Sequence, residues 1–334
     1  MKILMDKRIP GLEEALGDYA PAYDIKAMEG ARIGPNDVKD ADVLFVRTRT
    51  RCDASLLHGS SVRLVGTATI GTDHIDIPWC ESHGIRVVNA PGCNATAVMQ
   101  YVASTLRTAG YDPSRHTLGV IGKGHIGSIV TALYRRAGAR VLVSDPPKKE
   151  AGFTDEDYLS LQEVLEGSDA VTFHVPYTSQ GPYPTLNMLT GDMLRKGQIA
   201  VNASRGPVFH SSVFSSEAIL IIDTWPFEEN QALYSTDQRA AMISKAFIAT
   251  PHIAGYSIEG KKRATKAMLQ ALKRFDNPGL LISETMGETP VYVLENVINS
   301  FDPVPLSEAL KKNPEEFEIL RSQHLRPEPK IERK

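Results

Sequence analysis

The sequence predicts an α/β fold, two doubly wound parallel-sheet domains with a short C-terminal appendage, and three observations carry that expectation. Short β-branched runs alternate with helix-length segments almost to residue 275. One strand–helix junction contains Gly122-x-Gly124-x-x-Gly127. At 334 residues, the chain is also too long for one compact core.

Residues 2–6 (KILMD), 41–47 (ADVLFVR), 62–69 (VRLVGTAT) and 85–91 (IRVVNAP) read as buried parallel strands, being apolar runs bounded by turn residues. Segments 11–19 and 74–84 are helical candidates between them. Asn94 caps a helix that ends at Gly110. After the connector YDPSRH comes a second series of strands at 117–122, 139–145, 170–175, 198–204, 218–223 and 246–251. A basic amphipathic helix over 258–275 follows. Residues 277–334 carry seven prolines and close on RPEPKIERK, which reads as a small appendage with a loose, charged tail.

Composition narrows the function. A net charge of −3 and a pI near 6.3 argue against bulk nucleic-acid binding. No run approaches the ~18 apolar residues of a membrane helix, and MKILMDKRIP turns to charge and proline too soon for a secretory leader. Cys52, Cys80 and Cys93 are odd in number and lack metal-ligand spacing, so reduced thiols in a cytoplasm are expected and no metal is.

The glycine loop follows one strand and opens a helix over 126–137, while the next strand ends in Asp145, eighteen residues after Gly127. That is the layout of a dinucleotide site. Gly122 permits the tight turn, Gly124 lets backbone approach a pyrophosphate, and Gly127 lets helix and strand pack closely. The helix N-terminus, with His125 and Ile126 in its first turn, supplies amide donors to the phosphates. Asp145 accepts from ribose hydroxyls and repels a 2′-phosphate, which favours NAD. Lys148 and Lys149 close behind it leave NADP open.

At three further strand ends stand Arg205, Glu228 and His252. A neutral imidazole takes a hydroxyl proton as hydride leaves the same carbon. A carboxylate fixes its tautomer, and a guanidinium holds a substrate carboxylate. Glu229 is the rival of Glu228 for the acid role. FVRTRTRCD, residues 45–53, puts Arg47, Arg49 and Arg51 in alternation, one face of a strand if the strand continues. A solvated basic edge is the alternative to an anion site there.

GTATIGTDHID, NAPGCNATAV, NASRGPV, IDTW and HIAGYSIEGK together resemble the D-isomer-specific 2-hydroxyacid dehydrogenases, within them the branch acting on 4-phospho-D-erythronate. The resemblance runs from residue 1 to about 275 and returns weakly after 300. It implies a Rossmann NAD-binding domain (95–252) inserted into a flavodoxin-like substrate domain (1–94 and 253–276), with 277–334 an abbreviated dimerisation-type segment. It gives Arg205, Glu228 and His252 catalytic roles and places Asp145, Val175, Ala203, Arg205, Asp223 and Gly255 at the cofactor. Thr48, Thr69 and Tyr256 fall at substrate positions, and since Thr48 sits inside the arginine run, one or more of Arg47, Arg49 and Arg51, Arg47 foremost, is expected to meet a substrate phosphate. The implied ligands are NAD and a small phosphorylated 2-hydroxy acid, with no nucleic acid or membrane and a second copy of the chain as partner. A phosphoglycerate-type dehydrogenase and an NAD(H)-binding sensor without turnover are the competing readings. The helix expected between RGPV and AILIID is several residues short.

Overall fold

The computed structural model describes residues 1–18, 22–229, 231–277 and 291–331. The chain forms two compact units, Met1–Asn94 with Ile258–Glu288, and Ala95–Ser257 with Thr289–Lys334. Ile253–Ser257 fall in the second unit, in contrast to the boundary after residue 252 that the resemblance implies.

In the first unit β1 (Lys2–Asp6), β2 (Asp24–Met28), β3 (Val43–Val46), β4 (Leu64–Thr67) and β5 (Arg86–Val88) pair in parallel, in the order β2-β1-β3-β4-β5. This is the flavodoxin-like order. Alternate residues fill the two faces: Leu4, Leu44, Val46 and Val65 on one, Ile3, Met5, Val43, Phe45 and Leu64 on the other. The second face is covered by Ala264, Met268 and Leu272 of the helix Ile258–Asp276. β2 (DIKAM) had no strand signature; as an edge strand it keeps its charges in solvent and lacks a continuous apolar run. β3 stops at Val46, and Arg47–Thr50 form a turn closed by the Thr50 amide on the Arg47 carbonyl (3.2 Å). The three arginines are thus not one face of a strand.

The second unit holds β6 (Leu118–Ile121), β7 (Val141–Ser144), β8 (Ala170–Phe173), β9 (Ile199–Asn202), β10 (Ile219–Ile222) and β11 (Ile248–Ala249). All pair in parallel, in the order β11-β10-β9-β8-β6-β7. The strand that flanks β7 in a dinucleotide-binding sheet of this type is reduced to a single bridge between Val143 and Tyr158. Because every pair is parallel, all six carboxyl ends lie along one edge. Between β9 and β10 the chain makes only 3-10 turns, Gly206–Val208 and Ser211–Ser215, in place of a helix. Trp225 stacks between Phe214 and Phe227 beneath them.

The C-terminal segment is not a loose appendage. Its helices Leu294–Ile298, Val304–Lys312 and Phe317–Gln323 bury Val297, Leu310 and Phe317 in the two cores of the second unit. In the tail expected to be solvated, Arg326 is 5% exposed. Its guanidinium donates to the carbonyls of Ala97, Ile253, Ala254 and Tyr256 and to Gln100 Oε1, and lies over the Phe301 ring at 4.4 Å. A charge surrounded by that many acceptors is satisfied without water. Residues 278–290 and 332–334 of the expected appendage lie outside the described residues. Among the described residues, no helix is long and apolar enough to cross a membrane.

Candidate active site

The glycine loop sits at the carboxyl end of β6 and leads into the helix His125–Arg136. Gly122 has φ +88°, and a Cβ there would lie 2.6 Å from the His174 carbonyl oxygen. At Gly127 a Cβ would press into the Gly122 carbonyl, so helix and strand meet at this point. Gly124 differs: its φ is −74°, and a Cβ would meet nothing within 4 Å. The fold does not demand glycine there, whereas a pyrophosphate drawn close to the backbone does. His125 is exposed and Ile126 half-buried in the first helical turn, leaving its amides at the sheet edge. Asp145, after β7, caps the following turn, accepting from the Lys148 amide (3.2 Å) and the Lys123 amide (2.7 Å). Lys148 Nζ turns back to the Lys123 carbonyl (2.7 Å).

The acid and the imidazole meet. His252 Nδ1 lies 2.7 Å from Glu228 Oε2. The other carboxylate oxygen, Oε1, accepts from the Trp225 amide (2.8 Å), which settles the choice between the two glutamates: Glu229 is the exposed neighbour. Since an ionised carboxylate only accepts, Nδ1 carries a hydrogen, and in the neutral form of the ring the lone pair is then on Nε2. Burial pushes the Glu228 carboxyl up, but the charge and hydrogen bond of His252, the Arg321 guanidinium and the Trp225 amide outweigh it and hold the carboxyl below its usual range.

His252 occupies the left-handed region, φ +56°, a conformation costly for a residue with a side chain. Asp223 holds it there. The Asp223 carbonyl accepts from the His252 amide (2.8 Å), while its fully buried carboxylate accepts from the amides of Ile253 and Ala254 (2.8 Å each) and from Thr250 Oγ1 (2.7 Å). Burial raises the Asp223 carboxyl above its usual range, and these donors and His252 pull against it. Expected at the cofactor, this carboxylate is occupied with the histidine loop.

Arg205 stands just past β9 in an extended conformation, its Nη1 donating to the Ser204 carbonyl (2.8 Å). β9, β10 and β11 are neighbours, so Arg205, Glu228 and His252 occupy three adjacent carboxyl ends. Ala203 follows β9 directly; Gly255 lies in the turn closed by the Tyr256 amide on the Ile253 carbonyl (2.8 Å); Tyr256 Oη accepts from Arg321 Nε (3.0 Å). Val175 follows β8 and packs at Gly122. Its neighbour His174 has Nε2 at 3.1 Å from Thr172 Oγ1 and a buried, unpartnered Nδ1; burial drives the ring's pKa down to about 3.

The first unit places Arg47 and Thr69 beyond the adjacent strands β3 and β4. Arg47 Nε pairs with the buried Asp6 carboxylate (3.0 Å). Thr48 and Arg49 are exposed on the turn, and Arg51 points to Asp53 (2.7 Å). Thr69 Oγ1 donates to the Gly71 carbonyl (2.9 Å) and lies 2.7 Å from Thr67 Oγ1, which is 3.0 Å from His74 Nε2. A hydroxyl whose proton is committed to a carbonyl offers a ligand only acceptor capacity. Two residues escaped sequence reasoning: His74, which sits inside a quoted stretch without any spacing to mark it, and Arg321, which stands in the segment read as an appendage.

The model for the D-isomer specific 2-hydroxyacid dehydrogenase catalytic domain matches residues 30–283. Erythronate-4-phosphate dehydrogenase of Bacteroides fragilis (strain YCH46) is 37% identical over 347 residues, covering 97% of this chain and 96% of the relative. The enzyme of the same name from Marinobacter nauticus is 38% identical over 290 residues, covering 82% of this chain and 73% of the relative. The short C-terminal segment is thus matched in the Bacteroides relative. Among solved structures, D-lactate dehydrogenase from Aquifex aeolicus complexed with NAD and lactic acid is similar with a TM-score of 0.67 and 25% identity, over 83% of this chain and 96% of that one. NAD⁺-bound 3-phosphoglycerate dehydrogenase of Entamoeba histolytica shares the fold, with a TM-score of 0.66 and 21% identity over 86% of this chain and 99% of that one. Matches of this extent fall on the very sheet whose edge carries the glycine loop, and they settle the kinship: the chain belongs to the D-isomer-specific 2-hydroxyacid dehydrogenases.

Proposed function

We propose that this chain oxidises C2 of 4-phospho-D-erythronate with NAD, giving 2-oxo-3-hydroxy-4-phosphobutanoate, a step of pyridoxal 5′-phosphate synthesis. Family membership makes it an NAD-dependent oxidoreductase. The observation that carries the mechanism is the 2.7 Å contact between His252 Nδ1 and Glu228 Oε2 at adjacent strand ends.

NAD, when bound, supplies the carbon that accepts the hydride. Everything else falls to the chain. The glycine loop and the first turn of the helix His125–Arg136 hold the pyrophosphate, and Asp145 takes the adenosine ribose. His252 Nε2 accepts the C2 hydroxyl proton, and Glu228 stabilises the imidazolium that forms. In the reverse direction the same nitrogen returns the proton. Arg205 binds the substrate carboxylate and polarises the C2 oxygen. Ala203, Val175 and Gly255 border the cofactor. Asp223 keeps His252 in its strained backbone conformation. Of the first unit's residues, Thr48 and Thr69 take substrate oxygens and Arg47, half-exposed beside Asp6, meets the phosphate; of the second unit's, Tyr256 takes a substrate-binding role. The working molecule is a cytoplasmic homodimer.

The substrate assignment rests on the Bacteroides and Marinobacter relatives and is tested by NADH absorbance across a panel of 4-phospho-D-erythronate, 3-phospho-D-glycerate and D-lactate. The expected result is a kcat/KM at least about tenfold higher for the four-carbon phosphate, since a pocket fitted to one substrate discriminates by a kcal/mol or more. Preference for either other acid would overturn the assignment, and NADH binding without turnover on any of them would favour a sensor.

A further inference from the structure

The short helix Phe317–Gln323 lies against the loop that carries the acid, and its register is specific. Phe317 meets the Phe227 ring edge-on, with centroids 5.7 Å apart. One helical turn later, on the same face, Arg321 Nη1 comes 3.7 Å from Glu228 Oε2, the oxygen that also holds His252. Consecutive loop residues, Phe227 and Glu228, are thus met by helix residues four apart. Arg321 is itself held in place: its Nε donates to Tyr256 Oη (3.0 Å), and Nη1 lies 3.4 Å from Glu318. Only a fifth of its side chain is exposed, so solvent screens the charge incompletely.

We propose that Arg321 is a positioning residue for the proton-transfer pair: it fixes Glu228 against the imidazole and limits how strongly that carboxylate draws a proton onto His252. The proposal rests on the reading of His252 and Glu228 as the proton-transfer pair.

The groups around the pair set the sign of the effect. Glu228 faces His252, the Trp225 amide and Arg321; Glu229 follows it in the chain, and Arg239 lies over the Phe227 ring at 6.0 Å. His252 faces Glu228 and feels the buried Asp223 carboxylate. Arg321 faces Glu228, Glu318 and the Tyr256 hydroxyl. A full carboxylate charge beside the imidazole favours the imidazolium, which is useless as a base. A neighbouring guanidinium shares that carboxylate and repels the imidazolium. Removing the cation moves the titration upward.

The test compares wild type with Arg321→Gln and Arg321→Lys, following both the pH dependence of kcat/KM for oxidation and the NMR titration of the His252 ring. In Arg321→Gln the acid limb and the ring titration are expected to move up together by about half a unit to one unit. Arg321→Lys, which keeps the charge, stays close to wild type. A Gln variant that loses stability or kcat while both midpoints stay in place overturns the proposal, as does a Lys variant that shifts as far as Gln. A wild type without turnover would sink the dehydrogenase reading instead, and the ring titration would still decide the role of Arg321.

Discussion

Gly124 and Gly127 stand three residues apart in one loop, yet they are glycine for different reasons. A Cβ at Gly127 drives into the Gly122 carbonyl, whereas one at Gly124 meets open space. Gly127→Ala is therefore expected to destabilise the protein by about 2 kcal/mol or more. Gly124→Ala should leave Tm unchanged while raising the KM for NAD about tenfold, because only the ligand's approach is obstructed. Thermal melts beside NAD saturation curves separate the two; equal loss of Tm in both would refute the distinction. Both glycines were legible, because spacing and position after a strand are written in the sequence. The choice of Glu228 over Glu229 was not. It depends on a three-residue 3-10 turn, Pro226–Glu228, whose direction is set by the burial of Trp225 and Phe227 and by the bond from the Trp225 amide to Glu228 Oε1. No periodicity over so short a turn records which acid points inward.

Among the elements, buried parallel strands were the easiest to read, being continuous β-branched runs. β2 escaped because an edge strand with charges on it lacks that signature, and the arginine run was overextended because Arg-Thr alternation imitates a strand that has already ended at Val46. The larger misreading was the C-terminal tail. Proline and charge usually mean solvent, but one arginine sealed by carbonyls reverses the outcome. Arg326 joins the last described stretch to the helix Ala95–Thr108 and to the loop after His252. Arg326→Ala leaves those carbonyls buried and unpartnered, so a loss of about 3 kcal/mol is expected in denaturant titration, with kcat falling as the histidine loop loosens. Wild-type stability in that variant would mean that the strap is dispensable.

For the whole molecule, alternation of strand and helix disclosed two parallel sheets, and both appear with their strands in doubly wound order. Local patterns could not show where a segment distant in sequence returns, which is why residues from 289 onward were assigned away from the second unit. A buried base also leaves a mark on global stability. His174 binds a proton in the unfolded chain below about 6.5 but resists it in the fold until about 3. The folded-state value is depressed, so its share of stability is complete above 6.5 and is lost as pH falls from 6.5 toward 3, by up to about 1.4 kcal/mol per unit. Unfolding curves at several pH values between these limits should be less steeply pH-dependent for His174→Gln than for wild type; identical slopes would place the acid sensitivity elsewhere.

The account turns on proton transfer by His252, and the most direct measurement is the rate of NADH formation by wild type and His252→Ala, each first matched for NADH affinity by fluorescence titration. A fall of about 10²- to 10⁴-fold in kcat with affinity unchanged is the predicted result. Equal rates in the two proteins would contradict it.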